Sequence, residues 1–315
     1  MSLTMSAPVS RERLESLHRE MPWIALSPSA AVPQAGTSLR QDERERLLQD
    51  ILDCERSLVA AESFVRRREH AEGQGIDPQE VHGGWRKFFL AHYAFFHAQA
   101  LLAEVYGRCT AALEGGLWPL REIEQACSLW RLSGALMLYG VDFSPTEAIY
   151  QEYIRPRMPE AFSGTWLREY ARLTEHRRRF ERALDEKSAV HRELVRDLRS
   201  SLTAGEKCYH TFHFQVMLAC VPDLTSKLQE YQLEHGKLVV EEQHFEIYDE
   251  WFHVVRLPDI SLSSYVRSVC AIFSELLADL VEGTFLEPDP LAKLTAGVAT
   301  VLALQREAVR EGTVQ

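Results

Sequence analysis

Apolar residues fill nearly every position of Gly84–Gly107, GWRKFFLAHYAFFHAQALLAEVYG. A helix that is apolar all round is a buried one. This run nevertheless carries two imidazoles, His92 and His97. A buried imidazole costs free energy unless partners satisfy its nitrogens. With ~3.6 residues per turn, the two rings face different ways, so at most one enters any given cavity.

The flanking pattern is also helical. Between Leu39 and His70, Leu47, Leu48, Ile51, Leu52, Leu58 and Val59 recur at three- and four-residue steps among charges. Ala71–Gly83 reads as a loop holding Pro78. Gly115-Gly116 ends the apolar helix, and Pro119–Tyr139 reads as a second one, opened by Pro and stopped near Gly140. Ser144-Pro145-Thr146-Glu147 has the form of an N-cap and first turn of a short helix to about Ile154. The two prolines of Arg155–Pro159 stop it. Phe162–Trp166 reads as a tight loop. Thr165–Ser201 predicts one long charged helix, in which Arg177-Arg178-Arg179 reads as a solvated face. Ala204–Cys220 is another apolar helix with two histidines, His210 and His213, and Asp223–His235 a further one. Lys237–Leu257 fits a short hairpin as well as a helix. Ser261–Glu282 and Pro290–Glu311 close the chain as helices. Residues 1–38 have little periodicity and read as a tail or arm, with Trp23 and Ile24 as anchors. The expectation is an all-α fold, with residues 39–315 as one helical domain.

Composition narrows the function. The chain has 315 residues, of which 46% are hydrophobic, and a formal net charge of -11. That charge disfavours nucleic acid and anionic membranes as partners. No apolar run approaches the ~18–20 residues of a membrane span, and no secretory signal is visible. The six cysteines are scattered singly, which speaks against a zinc site or a disulfide framework. A cytoplasmic protein with free thiols is expected, and a homo-oligomer is compatible with this reading. Nucleotide-binding loops, GxSxG and HExxH are absent.

Three constellations carry chemistry. His92 and His213 lie on two apolar helices distant in sequence, which can pack around a flat apolar cofactor whose iron takes an imidazole ligand. His210 competes with His213 for that role, and two satisfied core histidines are the plain alternative. Arg131 sits between Trp130 and Leu132, where a cation needs an anion: a substrate carboxylate, or a glutamate in an internal salt bridge. Arg155 and Arg157 are weaker rivals. The Ser163-Gly164-Thr165 loop can close over a ligand or simply turn the chain. Glu241-x-x-His244 and Glu250-x-x-His253 have the spacing of di-iron bundles, but both lie in one segment with no room for a return helix.

AHYAFFHAQALLAEV, with His92, Gln99 and Glu104, resembles the distal-histidine helix of the heme tryptophan dioxygenases. His213-Phe-Gln215-Val-Met217 resembles the proximal-ligand helix of that superfamily. GVDFSPTEAIYQEYIRPRMPEAFSGTW is most similar to the heme-dependent L-tyrosine hydroxylases of bacterial natural-product pathways. The likeness covers roughly residues 84–220. It implies a tryptophan dioxygenase-like helical bundle enclosing heme, with His213 on the iron and His92 as distal acid/base. One branch of the superfamily has His-x-x-x-Cys with the Cys bonded to heme. Met217 stands at that position here, which implies noncovalent heme b. The resemblance further implies 3-hydroxylation of L-tyrosine to L-DOPA with hydrogen peroxide, Arg131 holding the carboxylate, Ser163–Thr165 closing over the substrate, and Phe95 and Trp130 walling the cofactor. A tryptophan-directed heme oxygenase, a nonheme iron oxygenase and a helical binding or scaffold protein with no chemistry are the alternatives.

Overall fold

The computed structural model describes residues 24–26, 39–62, 76–221, 223, 225–257, 260–284 and 286–311. They form ten α-helices: α1 (Gln41–Glu62), α2 (Pro78–Glu114), α3 (Leu120–Tyr139), α4 (Thr146–Ile149), α5 (Arg168–Ser188), α6 (Arg192–Cys220), α7 (Lys227–His235), α8 (Glu242–Trp251), α9 (Leu262–Glu282) and α10 (Pro288–Glu311). Two three-residue strands, β1 (Ile24–Leu26) and β2 (Val254–Arg256), pair in parallel with Ile24 opposite Val254. The fold is all-α. Trp23 lies outside the described residues.

The apolar run is the axis of the fold. Helix α2 begins earlier than the sequence pattern predicts, because Asp77 and Glu80 form a reciprocal capping box and Pro78 occupies the first turn. The Asp77 carboxylate accepts from the Gln79 amide at 2.8 Å, and the Asp77 amide donates to Glu80 at 3.2 Å. Around α2 pack α3 and α5, and α6 and α10 pack on α3. Helix α1 turns Leu47, Ile51, Cys54, Leu58 and Ala61, at alternating four- and three-residue steps, onto α9 and α10.

Two glycines let α6 approach α3 closely. A Cβ on Gly134 of α3 would lie 2.9 Å from the Tyr209 Cα, and one on Gly205 of α6 would lie 3.2 Å from the Cys127 Cα. Hydrogen at both positions brings the backbones within reach and sets where the His213 turn of α6 sits.

Several boundaries differ from expectation. The charged segment is broken at residues 189–191 rather than at 201, and Ala204–Cys220 is the continuation of α6. No Gly or Pro marks this break. It arises because α5 packs on α2 while α6 packs on α3, with the His191 ring edge-on to Trp118 at 5.1 Å. The helix after Pro145 runs through a π-turn, Tyr150–Ile154, into a 3-10 turn, Arg155–Arg157. Pro145, not Ser144, is its N-cap residue, and the Thr146 hydroxyl donates back to the Phe143 carbonyl. The ambiguous 237–257 stretch resolves into α8 and β2. No helix among the described residues is long and apolar enough to cross a membrane.

Candidate active site

A cavity of about 360 Å³ lies between α2, the end of α6 and the 150–165 turns. Its volume is within the roughly 300–1,000 Å³ of ordinary small-molecule sites. His92 and His213 both line it.

His92 is held firmly. Its Nδ1 donates to the Phe88 carbonyl one turn earlier at 2.6 Å, which leaves Nε2 as the acceptor nitrogen. Its ring lies between Phe88, at 4.2 Å between centroids, and Phe252, at 4.7 Å. Burial is the main cause that lowers its pKa to about 4; the Phe88 carbonyl works the other way, and the nearby His213 adds to the lowering. His92 is therefore a neutral base at pH 7. His97 faces away: it is fully buried, its Nδ1 lies 3.4 Å from the Tyr265 hydroxyl, and burial lowers its pKa to about 3.

His213 is exposed on the cavity face of α6 and stacks on Tyr209, 6.1 Å away and 14° from parallel. Desolvation and then the neighbouring His210 lower its pKa. His210 does not line the cavity; its Nε2 lies 3.9 Å from Glu206 on an open surface. Phe95, Met217, Ser163, Gly164 and Thr165 line the same cavity. The serine hydroxyl caps the following 3-10 turn, accepting from the Thr165 amide at 3.2 Å.

Two expected site residues lie elsewhere. Arg131 is exposed and is not on the cavity wall. It shares a strip of α3 with Glu124, two turns earlier, and that strip faces solvent while Trp130 and Leu132 on either side are buried. Trp130 points between α2 and α6, where its indole N–H donates to the Tyr106 hydroxyl at 3.2 Å, and it borders a different pocket. Arg155 does line the cavity. Its guanidinium donates to the Thr225 carbonyl at 2.8 Å and pairs with Glu230. Lys227 and Ser226, at the start of α7, stand on the same wall.

The sequence reading missed Tyr150, Tyr209 and Tyr248, which also line the cavity. Burial raises the phenols of Tyr150 and Tyr209 well above their ordinary value, so they stay protonated and act as apolar walls with a polar tip; the Tyr248 ring stacks on Phe162 at 5.1 Å. The two Glu-x-x-His pairs do not meet as a metal site. His244 is used at the N-terminus of α8, its Nδ1 accepting from the Glu241 amide at 2.9 Å, and His253 is buried beside Phe89. Among the described residues no group of three His, Cys, Asp or Glu side chains converges on one point.

Residues 24–204 match the family described as SfmD 3-methyl-L-tyrosine peroxygenase. The match spans more than half of the chain. The chain belongs to that family. The family is one of heme-dependent peroxygenases that act on a tyrosine derivative. The matched region contains His92 and the Ser163–Thr165 loop and ends shortly before His213. Among curated proteins none matches the chain significantly. The cavity suits the family's cofactor: its walls are largely aromatic and aliphatic, and two imidazoles from different helices line it.

Proposed function

We propose that this protein is a heme-dependent peroxygenase that hydroxylates a tyrosine ring ortho to the phenol, taking L-tyrosine or its 3-methyl derivative with hydrogen peroxide. The observation that carries the reading is the meeting of His92 and His213 at one apolar cavity in a chain of this family. The helical bundle is read as tryptophan dioxygenase-like, and the heme as noncovalent heme b, since Met217 stands where a bonding cysteine is found in one branch.

His213 would hold the iron from one side and Phe95 and Met217 would contact the macrocycle. The heme, when bound, supplies the iron that activates peroxide and transfers oxygen to the ring. His92 handles the proton. Its Nδ1–H is committed to the Phe88 carbonyl and its pKa is near 4, so Nε2 receives a proton from peroxide and, being a weak base, returns it readily. A neutral imidazole such as His213 would donate less electron density to the iron than a thiolate, so the proton handling by His92 would matter more here. Phe88 and Phe252 keep the imidazole from turning. Arg155 and Lys227 share one carboxylate, Glu230, so this wall keeps a net positive charge for the substrate carboxylate, a role the sequence alone gives to Arg131. The aromatic walls exclude water and steer the ring. Ser163, Gly164 and Thr165 form the edge that closes over the substrate.

Peroxide-driven turnover of tyrosine and 3-methyltyrosine, followed by mass-resolved chromatography, tests this. One added oxygen on either ring is expected. His92→Ala should keep its heme and lose about 10²–10⁴-fold in rate. Heme-loaded protein that oxygenates neither substrate, or a His92→Ala variant at full rate, would contradict the proposal.

A further inference from the structure

A second pocket, of about 540 Å³, opens on the surface beside the cavity. Trp130, Leu173 and Tyr170 line it, with Thr174, Arg177, Arg178 and Arg182 around them. Tyr170 also lines the site cavity, so the two spaces share a residue of their walls. Arg177 is tied to Glu206 through both of its terminal nitrogens, and Glu181, also on the rim, lies 3.3 Å from Arg199. Arg178 and Arg182 are exposed, so the rim is cationic on a chain whose net charge is negative.

Oxidisable rings connect the two spaces. Tyr209 stacks on His213 with centroids 6.1 Å apart. The Trp130 ring lies 5.6 Å from Tyr209. Its indole N–H, hydrogen-bonded to the Tyr106 hydroxyl at 3.2 Å, holds its proton in place. Tyrosine and tryptophan are the side chains most readily oxidised by one electron, and steps between touching rings are fast. A site that activates peroxide while no substrate is bound accumulates oxidising power beside its own side chains.

Resting on the heme reading above, we propose that Tyr209 and Trp130 form an electron relay from the His213 side of the cavity to the arginine-rimmed pocket, where a small anionic enediol donates electrons. The electrons run inward. Activated peroxide takes one electron from Tyr209, whose phenol proton goes to the water being formed; Trp130 then gives an electron back to Tyr209, a proton from the enediol restores the phenol, and the enediol refills Trp130. One enediol supplies two electrons and two protons in total and ends as the dicarbonyl. With them one hydrogen peroxide becomes two waters. Arg178 and Arg182 attract the enediolate by charge. The relay thus adds a peroxide-scavenging activity that protects the site between turnovers.

The test uses heme-loaded protein, verified by its Soret band, treated with peroxide in the absence of an aromatic substrate. Peptide mass spectrometry should find oxygen added to the Trp130 indole, and freeze-quench paramagnetic resonance should show an indole radical. In Trp130→Phe that radical should vanish and oxidation should move to Tyr209, Met217 and His213. Tyr209→Phe should lower Trp130 oxidation several-fold, and it serves as the second variant if Trp130→Phe fails to fold. Ascorbate should quench the radical several-fold more slowly in Arg178→Glu/Arg182→Glu. Unmodified Trp130 beside oxidised cavity residues, or one oxidation map in wild type and both ring variants, overturns the relay. Failure to bind heme at all would instead remove the reading on which the relay rests.

Discussion

Replacing Gly134 with alanine tests whether helix contact sets the site. The new Cβ would stand 2.9 Å from the Tyr209 Cα and 3.1 Å from a Phe212 ring carbon, where ordinary contact starts at 3.4 Å. The Tyr209 contact is thus 0.5 Å short. Its partner is backbone, so α6 itself must move. Overpacking of this kind costs about 1–3 kcal/mol. Alanine returns about 1 kcal/mol of helix propensity, which leaves a net loss of about 0–2 kcal/mol. Gly83, in the first turns of α2, has nothing within 4 Å of its added Cβ. Gly83→Ala should therefore gain up to about 1 kcal/mol from the same propensity difference. Urea midpoints of the two variants should move in opposite directions. His213 is one turn beyond Tyr209, so Gly134→Ala should also weaken heme binding, read by titration of the Soret band, while Gly83→Ala should not. Equal stabilisation by both substitutions, with heme affinity unchanged, would refute the idea that the α3–α6 contact positions His213.

The other expectations concern charge. His92 and His97 have native pKa values of about 4 and about 3, below the ordinary 6.5, so the folded chain holds fewer protons than the unfolded one between those values. Stability should be full above pH 6.5 and fall as pH drops toward 4, by up to about 1.4 kcal/mol per pH unit for each histidine. Urea midpoints at pH 7 and 4.5 check this, and His97→Phe should show the shallower fall; an equal or steeper fall contradicts the assignment. Arg155→Leu should weaken binding of a carboxylate-bearing aromatic ligand by about 1.5–3 kcal/mol, measured by calorimetry, whereas Arg131→Ala should leave it unchanged; the reverse order would return the role to Arg131.

What the sequence could reveal follows from how local each signal is. The α2 run was legible because burial of a whole helix shows in every residue, and the 3.6-residue turn already separated His92 from His97. Placing His213 and Met217 in one cavity with His92 needed the family likeness, since nothing local says which helices meet. Arg131 lies outside the cavity because it shares a solvent-facing strip with Glu124, a pattern visible at two-turn spacing but masked by its two apolar neighbours. Arg155 had no such signal. Its place on the wall depends on the π-turn and on Glu230, which is distant in sequence. The break before α6 was equally hidden, because partners elsewhere in the fold impose it.

The absorption spectrum of the purified protein, read beside His213→Ala and His210→Ala, tests the central claim most directly. A Soret band is expected in the wild type and in His210→Ala, and its loss or large shift in His213→Ala. A colourless wild type after heme addition, or an unchanged band in His213→Ala, would contradict the assignment of this cavity as a histidine-ligated heme site.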